Sequence, residues 1–153
     1  MSIRYAVGAV VRYGEDILLV RKVKMMMAQS GPEDIDPIWD FPKGGINSNE
    51  DVSVAILREL QEETGSRQYR IIQKLPDFVF QFSEEVANKL GFLQQTTNMF
   101  EVEYVGDGSD LFPQDEEIDR IQFFSIRDAF EYVTYANSQE YLQNILNHKP
   151  SPR

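Results

Sequence analysis

Hydrophobic and polar positions alternate along several short segments of the chain, and one longer segment repeats them at helical spacing. The runs at 5–13 (YAVGAVVRY) and 17–22 (ILLVRK) have the composition of strands, and the turn residues at 14–16 join them in a predicted hairpin. By the same criteria, further strands are predicted at 38–43, 68–75, 77–82, 95–105 and 120–124.

The segments between these strands are interpreted from their turn and capping residues. Residues 23–37, rich in acidic residues and prolines, are predicted to form a long loop, and residues 83–94 a hairpin loop or a short helix. Helices are predicted at 126–133, capped by Ser125, and at 139–146, capped by Asn137 or Ser138, before a tail that frays from residue 147.

The longest helical pattern covers residues 51–64, which contain neither glycine nor proline. Ser48 or Asn49 is the predicted N-cap, and Gly65 is placed to end the helix. One stripe of this helix carries apolar residues in its first half and carboxylates in its second: Val52, Ala55, Ile56, Glu59, Glu62 and Glu63. The apolar half is expected to face the core.

Carboxylates on a core-facing stripe need an explanation, because unpaired buried charge is costly. Glu59, Glu62 and Glu63, at positions i, i+3 and i+4, are expected to converge and to offer oxygen ligands to a cation such as Mg²⁺ or Mn²⁺. The alternative is a solvated acidic helix end with no ligand. The carboxylates alone do not separate these two interpretations.

The spacing of residues 44–66 does separate them, because the stretch resembles the Nudix box, G-x5-E-x7-R-E-U-x-E-E-x-G-U, in which U is a bulky aliphatic residue. The matching positions are Gly44, Glu50, Arg58, Glu59, Leu60, Glu62, Glu63 and Gly65. The final aliphatic position is Ser66 instead, which affects local packing rather than the chemistry. The resemblance implies a Nudix fold, an α+β structure in which helices flank a central mixed sheet as an α/β/α sandwich, in a single domain of residues 1–153.

The resemblance also implies an enzyme that hydrolyses a nucleoside diphosphate linked to another group, using Mg²⁺, with Mn²⁺ possible. Its metal ligands would be Glu59, Glu62 and Glu63, assisted by the carbonyl of Gly44 and by Glu117. In this family a glutamate about six residues before a hydrophobic strand position completes the metal site. Taking Phe123 as that position selects Glu117, with Glu116 as the alternative.

The resemblance assigns the remaining residues of the box as well. Glu50 and Arg58 are expected to form an ion pair that fixes the loop against the helix. Glu62 or Glu63 would act as the general base, and Glu117 is a further candidate.

Substrate preference is interpreted from the loop before the helix. The sequence FPKG resembles Nudix enzymes acting on dinucleoside polyphosphates, and Lys43 and Gly45 are expected to contact phosphates, as is Arg21 at a strand end. A dinucleoside polyphosphate such as Ap4A is therefore the first choice. The alternatives are the 5′ end of triphosphorylated RNA, supported by the similarity of GGIN to FPQGGIN, a (d)NTP or nucleotide sugar, and a regulatory nucleotide-binding module without turnover.

Length, residue composition and charge limit the classes of partner that the sequence allows. A length of 153 residues fits one domain, and the chain lacks cysteine, a run of about 18 apolar residues and a secretory signal, so a cytoplasmic, membrane-free enzyme is expected. The single histidine, His148, lies in the tail. Residues 75–148 contain three basic and fourteen acidic residues, within a net charge of −10. This distribution disfavours a long nucleic acid but permits a small nucleotide or an RNA 5′ end; it predicts no oligomeric state.

Overall fold

The computed structural model describes residues 2–147, and within them eight strands form one mixed sheet. The elements in chain order are β1 Ser2–Tyr13, β2 Asp16–Met27, β3 Gly31–Asp40, β4 Lys43–Gly45, α1 Val52–Thr64, β5 Tyr69–Lys74, β6 Phe78–Gln81, α2 Glu84–Leu90, β7 Phe92–Tyr104, β8 Ile118–Ser125, α3 Ile126–Tyr132 and α4 Ala136–Asn147. Met1 and the tail that contains His148 lie outside the described residues.

The sheet runs in the order β3-β2-β1-β7-β5, with β4 paired to β1, β6 to β7 and β8 to β2. The β1–β7 pair is parallel, and the other pairs are antiparallel. The predicted mixed sheet is therefore confirmed. The short strand β4 places the loop before α1 against the centre of the sheet.

Strand alternation produces two cores, one on each face of the sheet. On the face covered by α1, the core gathers Val7, Ala9, Val11, Leu18, Val20, Ala55, Ile56 and Leu60. On the face covered by α3 and α4, it gathers Val10, Ile17, Leu19, Phe124, Ala129, Val133 and Leu142. Helices on both faces of one sheet confirm the predicted α/β/α sandwich. Among the helices of residues 2–147, none combines the length and the hydropathy that crossing a bilayer requires.

The long loop predicted at 23–37 is wrong. Lys24 to Met27 pair with Gly31 to Asp34, so that β2 and β3 continue as a hairpin to a turn at residues 28–30. β3 is an edge strand. Proline, which has no backbone N–H, is tolerated on edge strands because no further strand pairs with their outer side. The prolines and acids that indicated a loop are instead those of an exposed sheet edge.

Several helix ends also differ from the prediction. α1 has Asp51 as its N-cap, without a side-chain capping bond, and Asn49 adopts a left-handed conformation with φ of 63° in the preceding turn. α4 begins at Ala136, ahead of both predicted caps. In contrast, Ser125 caps α3 as predicted, and residues 83–94 contain the short helix α2.

Candidate active site

The helix α1 carries the predicted carboxylates and ends as its sequence indicates. Gly65 adopts φ of 82°, and its N–H donates to the carbonyl of Gln61 at 2.9 Å. Glu63 is buried together with Ala55, Ile56 and Leu60. Of the three carboxylates, Glu63 therefore continues the buried face of α1, whereas Glu59 is partly buried and Glu62 is exposed. All three line one cleft.

This cleft has a volume of ≈ 1350 Å³ and contains the candidate metal ligands in its wall. Glu59, Glu62 and Glu63 line it, and so do Asp115 and Glu117 from the segment before β8. Glu116 does not line it, so the structure separates the two glutamates that the sequence left as alternatives. The carbonyl of Glu117 also accepts from the N–H of Val23 at 2.8 Å, which joins this segment to β2.

Glu63 is the most buried of the three helix carboxylates, at 4% exposure. Its Oε1 accepts the backbone N–H of Lys43 at 3.0 Å. Burial raises the pKa of Glu63 to about 8; the charge of Lys22 opposes this shift, and those of Glu59 and Asp115 add to it. A carboxylate in these surroundings is stabilised by an added positive charge.

Gly44 makes room for Glu59. A Cβ placed on Gly44 would lie 2.0 Å from the carboxylate carbon and from Oε2 of Glu59, so a side chain there would displace the glutamate. Burial raises the pKa of Glu59, although Arg58 lowers it. Glycine at this position therefore allows the close approach of the loop backbone to the Glu59 carboxylate.

Arg58 connects the loop to the helix. Its Nε and Nη2 bind both oxygens of Glu50, at 2.7 and 2.8 Å, and Nη2 also donates to the carbonyl of Gly45 at 2.9 Å. Its Nη1 donates to Glu59 at 2.9 Å and to Glu62 at 3.2 Å. Hydrogen bonding from Arg58 lowers the pKa of Glu50 to about 2. The expected Glu50–Arg58 ion pair is thus present as a bidentate contact.

The three carboxylates of α1 do not converge on one point in this structure, although the sequence predicts that they do. Within residues 2–147, no three histidine, cysteine or acidic side chains lie close enough together to hold a metal ion, and Arg58 binds Glu59 and Glu62 instead. The donor set nevertheless fits Mg²⁺ or Mn²⁺, since carboxylates from α1 and Glu117 share one cleft with the buried, singly hydrogen-bonded Glu63. Metal binding at Glu59 and Glu62 would require exchange of their contacts with Arg58.

Of the three residues predicted to contact phosphates, only two line the cleft. Lys43 and Gly45 line the cleft, but the ammonium of Lys43 lies 3.1 Å from Asp40. Arg21 is absent from the cleft lining, and its Nε lies 3.7 Å from Asp119 on β8. Lys22 lines the cleft in its place and is close enough to Glu63 to lower its pKa.

At the end of β2, sequence reasoning selected Arg21 rather than Lys22 as the phosphate-contacting cation, and it missed Arg4 altogether. Lys22 stands two residues after the buried Val20, so strand alternation could have placed it on the same side of β2 as Val20, with Arg21 on the other. Arg4 lines the cleft beside Glu59 and Glu117, whose charges raise its pKa against the larger lowering effect of burial. No local signal identifies Arg4, because the parallel pairing of β1 with β7 sets its position.

Comparisons with known proteins identify the family and the folds to which this chain is similar. The family model described as NUDIX domain matches residues 2–145. The chain is 33% identical over 118 residues to the RNA pyrophosphohydrolase of Nitratiruptor sp., covering 75% of each protein. Among solved structures, it is similar to a MutT protein from Methanosarcina mazei Go1, with a TM-score of 0.72 and 18% identity over 97% of both chains.

A second solved structure has a similar fold. It is a binary complex of a C. elegans Ap4A hydrolase, with a TM-score of 0.67 and 18% identity over 94% of this chain and 96% of that one. At this identity the likeness extends to the fold alone, and the fold does not discriminate between substrates.

Proposed function

The chain belongs to the Nudix family and is a hydrolase of phosphoric anhydrides, and on that premise we propose that it removes pyrophosphate from the 5′ end of triphosphorylated RNA. The similarity to an RNA pyrophosphohydrolase over 75% of both chains is the observation that carries this assignment. It reverses the order of preference drawn from the FPKG loop, in which a dinucleoside polyphosphate came first.

The dimensions of the cleft support a substrate larger than one nucleotide. Its volume of ≈ 1350 Å³ exceeds the roughly 300–1,000 Å³ of a typical small-molecule pocket. Away from the carboxylates, the lining includes Phe80, Phe82 and the basic residues Lys24 and Lys89. Aromatic and basic side chains along one groove suit bases and backbone phosphates of a single strand. Basic residues therefore line the cleft although the net charge is −10, and Lys24 and Lys89 pair with Asp34 and Glu33 at 3.9 and 4.0 Å.

Glu59, Glu62, Glu63 and Glu117, with the carbonyl of Gly44, are the residues that would hold the divalent cations. When bound, such ions neutralise phosphate charge and acidify water. Arg4 and Lys22 would face the phosphates, and Gly45 lets the loop pass close to them. The proton of the attacking water would pass to a carboxylate oxygen of Glu62, Glu63 or Glu117.

A dinucleoside polyphosphate such as Ap4A is the second candidate, because the FPKG loop and the volume of the cleft also suit it. The two candidates differ in the group beyond the phosphates. An RNA places a further nucleotide beyond its first sugar, whereas Ap4A places a second nucleoside beyond the polyphosphate.

The experiment compares kcat/KM with Mg²⁺ for a triphosphorylated RNA trinucleotide, GTP, Ap4A, 8-oxo-dGTP and ADP-ribose. The proposal expects pyrophosphate and 5′-monophosphate RNA as products, with the trinucleotide preferred over GTP. A preference for Ap4A, with ATP among the products, would overturn it. Glu63→Gln should abolish turnover, and Glu103→Gln, at an exposed glutamate on β7 that pairs with Arg70, serves as the control.

A further inference from the structure

The side chain of Lys43 is enclosed between an acid and two aromatic rings. It is 9% exposed, and its ammonium lies 3.1 Å from Oδ2 of Asp40, which is 5% exposed. The same ammonium lies 4.3 Å from the ring centroid of Phe78 and 5.4 Å from that of Phe80. These contacts satisfy a buried cation by an ion pair and by cation–π attraction.

The surroundings of this ion pair are built to receive it. Gly8 of β1 pairs with Lys43, and a Cβ on Gly8 would lie 3.0 Å from Cγ of Lys43, so the glycine leaves space for the lysine stem. Oδ1 of Asp40 accepts the hydroxyl of Ser138 at 3.1 Å and the N–H of Phe41 at 2.8 Å. The pair therefore joins the segment before α1 to Ser138 of α4, 98 residues away from Asp40 along the chain.

The backbone of Lys43 contacts the active site directly. Its N–H donates to Oε1 of Glu63 at 3.0 Å, so the position of this residue decides where the Glu63 carboxylate is held. Anchoring the side chain of Lys43 fixes its backbone, and the backbone orients a predicted metal ligand. In metal sites generally, hydrogen bonds from neighbouring groups orient the metal ligands in the same way.

We infer that Lys43 is a positioning residue, whose buried pair with Asp40 holds the loop that orients Glu63, rather than a residue whose ammonium binds substrate phosphate. A phosphate at this ammonium would lie beside the buried Asp40 carboxylate, which repels the phosphate and competes with it for the same cation. The kinetic readouts of this inference rest on the proposed function, and the Mn²⁺ readout rests on Glu63 being a metal ligand. The unfolding readout rests on neither.

The first test is Mn²⁺ binding to nucleotide-free protein, followed by electron paramagnetic resonance. If Lys43 acts through Glu63, Lys43→Met should raise the Mn²⁺ Kd on the order of tenfold, as loss of groups that orient metal ligands does. Lys74→Met is the matched control, because Lys74 forms an exposed pair with Asp77 at 2.8 Å with the same three-residue separation. An unchanged Kd in Lys43→Met would overturn the inference.

The second test is a double-mutant cycle on the pair. Asp40→Asn and Lys43→Gln should each weaken Mn²⁺ binding and stability. The combined variant, which replaces the ion pair by a neutral amide pair, should recover most of both losses. Strictly additive losses would contradict the inference. Lys43→Gln also provides a second variant should Lys43→Met fail to fold.

Kinetics then separates the two roles of Lys43. Positioning predicts a fall in kcat with KM changed by less than about threefold, whereas loss of a phosphate contact raises KM and weakens its dependence on salt. Absence of turnover on every substrate of the panel would refute the proposed function. The Mn²⁺ and unfolding results would still decide the role of Lys43.

Discussion

The hydroxyl of Ser66 donates to Oδ2 of Asp110 at 2.6 Å, and this bond joins the end of α1 to the loop before β8. Asp110 also accepts from Nε2 of Gln68 at 2.8 Å and from the hydroxyl of Tyr104. Ser66 is fully buried and stands where the Nudix box has an aliphatic residue. A hydrogen-bond network therefore takes the place of apolar packing at this departure from the family pattern.

This network predicts that restoring the family residue will destabilise the protein. Ser66→Val removes the donor to Asp110 and the acceptor that Gln68 N–H binds at 2.9 Å. Because valine can form neither of these hydrogen bonds, the free energy of unfolding in urea should fall. Ser109→Ala, which removes an exposed serine bound to Asp107 at 2.6 Å, should change it by much less. Equal stability of Ser66→Val and the native chain would refute the network's contribution.

The same network predicts an acid-dependent component of stability. Hydrogen bonds from Ser66, Tyr104 and Gln68 lower the pKa of Asp110 from 3.8 to about 2. Because the folded-state value is depressed, the stabilisation is complete above the unfolded pKa and is lost as the pH falls through about 2. Asp110→Asn should flatten the pH dependence of unfolding free energy between pH 4 and pH 2, measured by urea titrations across that range.

A matched comparison is needed because Glu50 is affected in the same window. Its pKa falls from 4.5 to about 2 through Arg58, so Glu50→Gln should also flatten the curve. The double variant should be flatter than either single variant. An unchanged slope in Asp110→Asn would show that folding does not lower the pKa of Asp110.

Gly44→Ala should inactivate the enzyme. The new methyl group would lie 2.0 Å from Glu59 and must displace either this carboxylate or the loop. Displacement by about 1 Å in an active site costs on the order of 100-fold in rate, so kcat/KM should fall by at least about that factor. For stability, the comparison is Gly45→Ala, whose Cβ meets nothing closer than Nη2 of Arg4 at 4.0 Å. Its melting temperature should fall less. Retained activity in Gly44→Ala would show that Glu59 tolerates the move.

The Arg58→Lys variant tests whether the positive charge of Arg58 is sufficient or whether the geometry of its guanidinium is also needed. A lysine retains the positive charge but cannot bind both oxygens of Glu50 while contacting Gly45, Glu59 and Glu62. We expect kcat/KM to fall by about 10- to 100-fold, as in the loss of groups that orient metal ligands. The measurement is steady-state kinetics at saturating Mg²⁺, with Arg70→Lys as the exposed control. Full activity would mean that charge alone suffices.

Local periodicity and spacing predicted most of α1 and the sheet, because their signals lie within a few turns or a few strand residues of the chain. The features that the sequence did not predict depend on contacts between residues that are far apart in the chain. The composition of residues 23–37 predicts a loop, whereas pairing along the edge of the sheet makes most of them two strands joined by a turn. The bond from Ser138 to Asp40 spans 98 residues, and nothing near either residue indicates it. The box located the carboxylates, but only the folded chain shows that Arg58 binds two of them.

Lys22 and Arg21 offer the clearest choice between the sequence expectation and the folded structure. Lys22 lines the cleft beside Glu63, whereas Arg21 lies at 3.7 Å from Asp119 and does not line it. If the cation at the end of β2 faces the substrate phosphates, Lys22→Met should lower kcat/KM by about 10- to 150-fold, since a charged hydrogen bond contributes about 1.5–3 kcal/mol. Arg21→Met should leave kcat/KM within about twofold, because an exposed ion pair contributes little. Both variants remove one positive charge from adjacent positions, so a general electrostatic effect would lower both equally. The reverse result, a loss in Arg21→Met alone, would restore the assignment made from the sequence and would mean that β2 turns its other side toward the substrate.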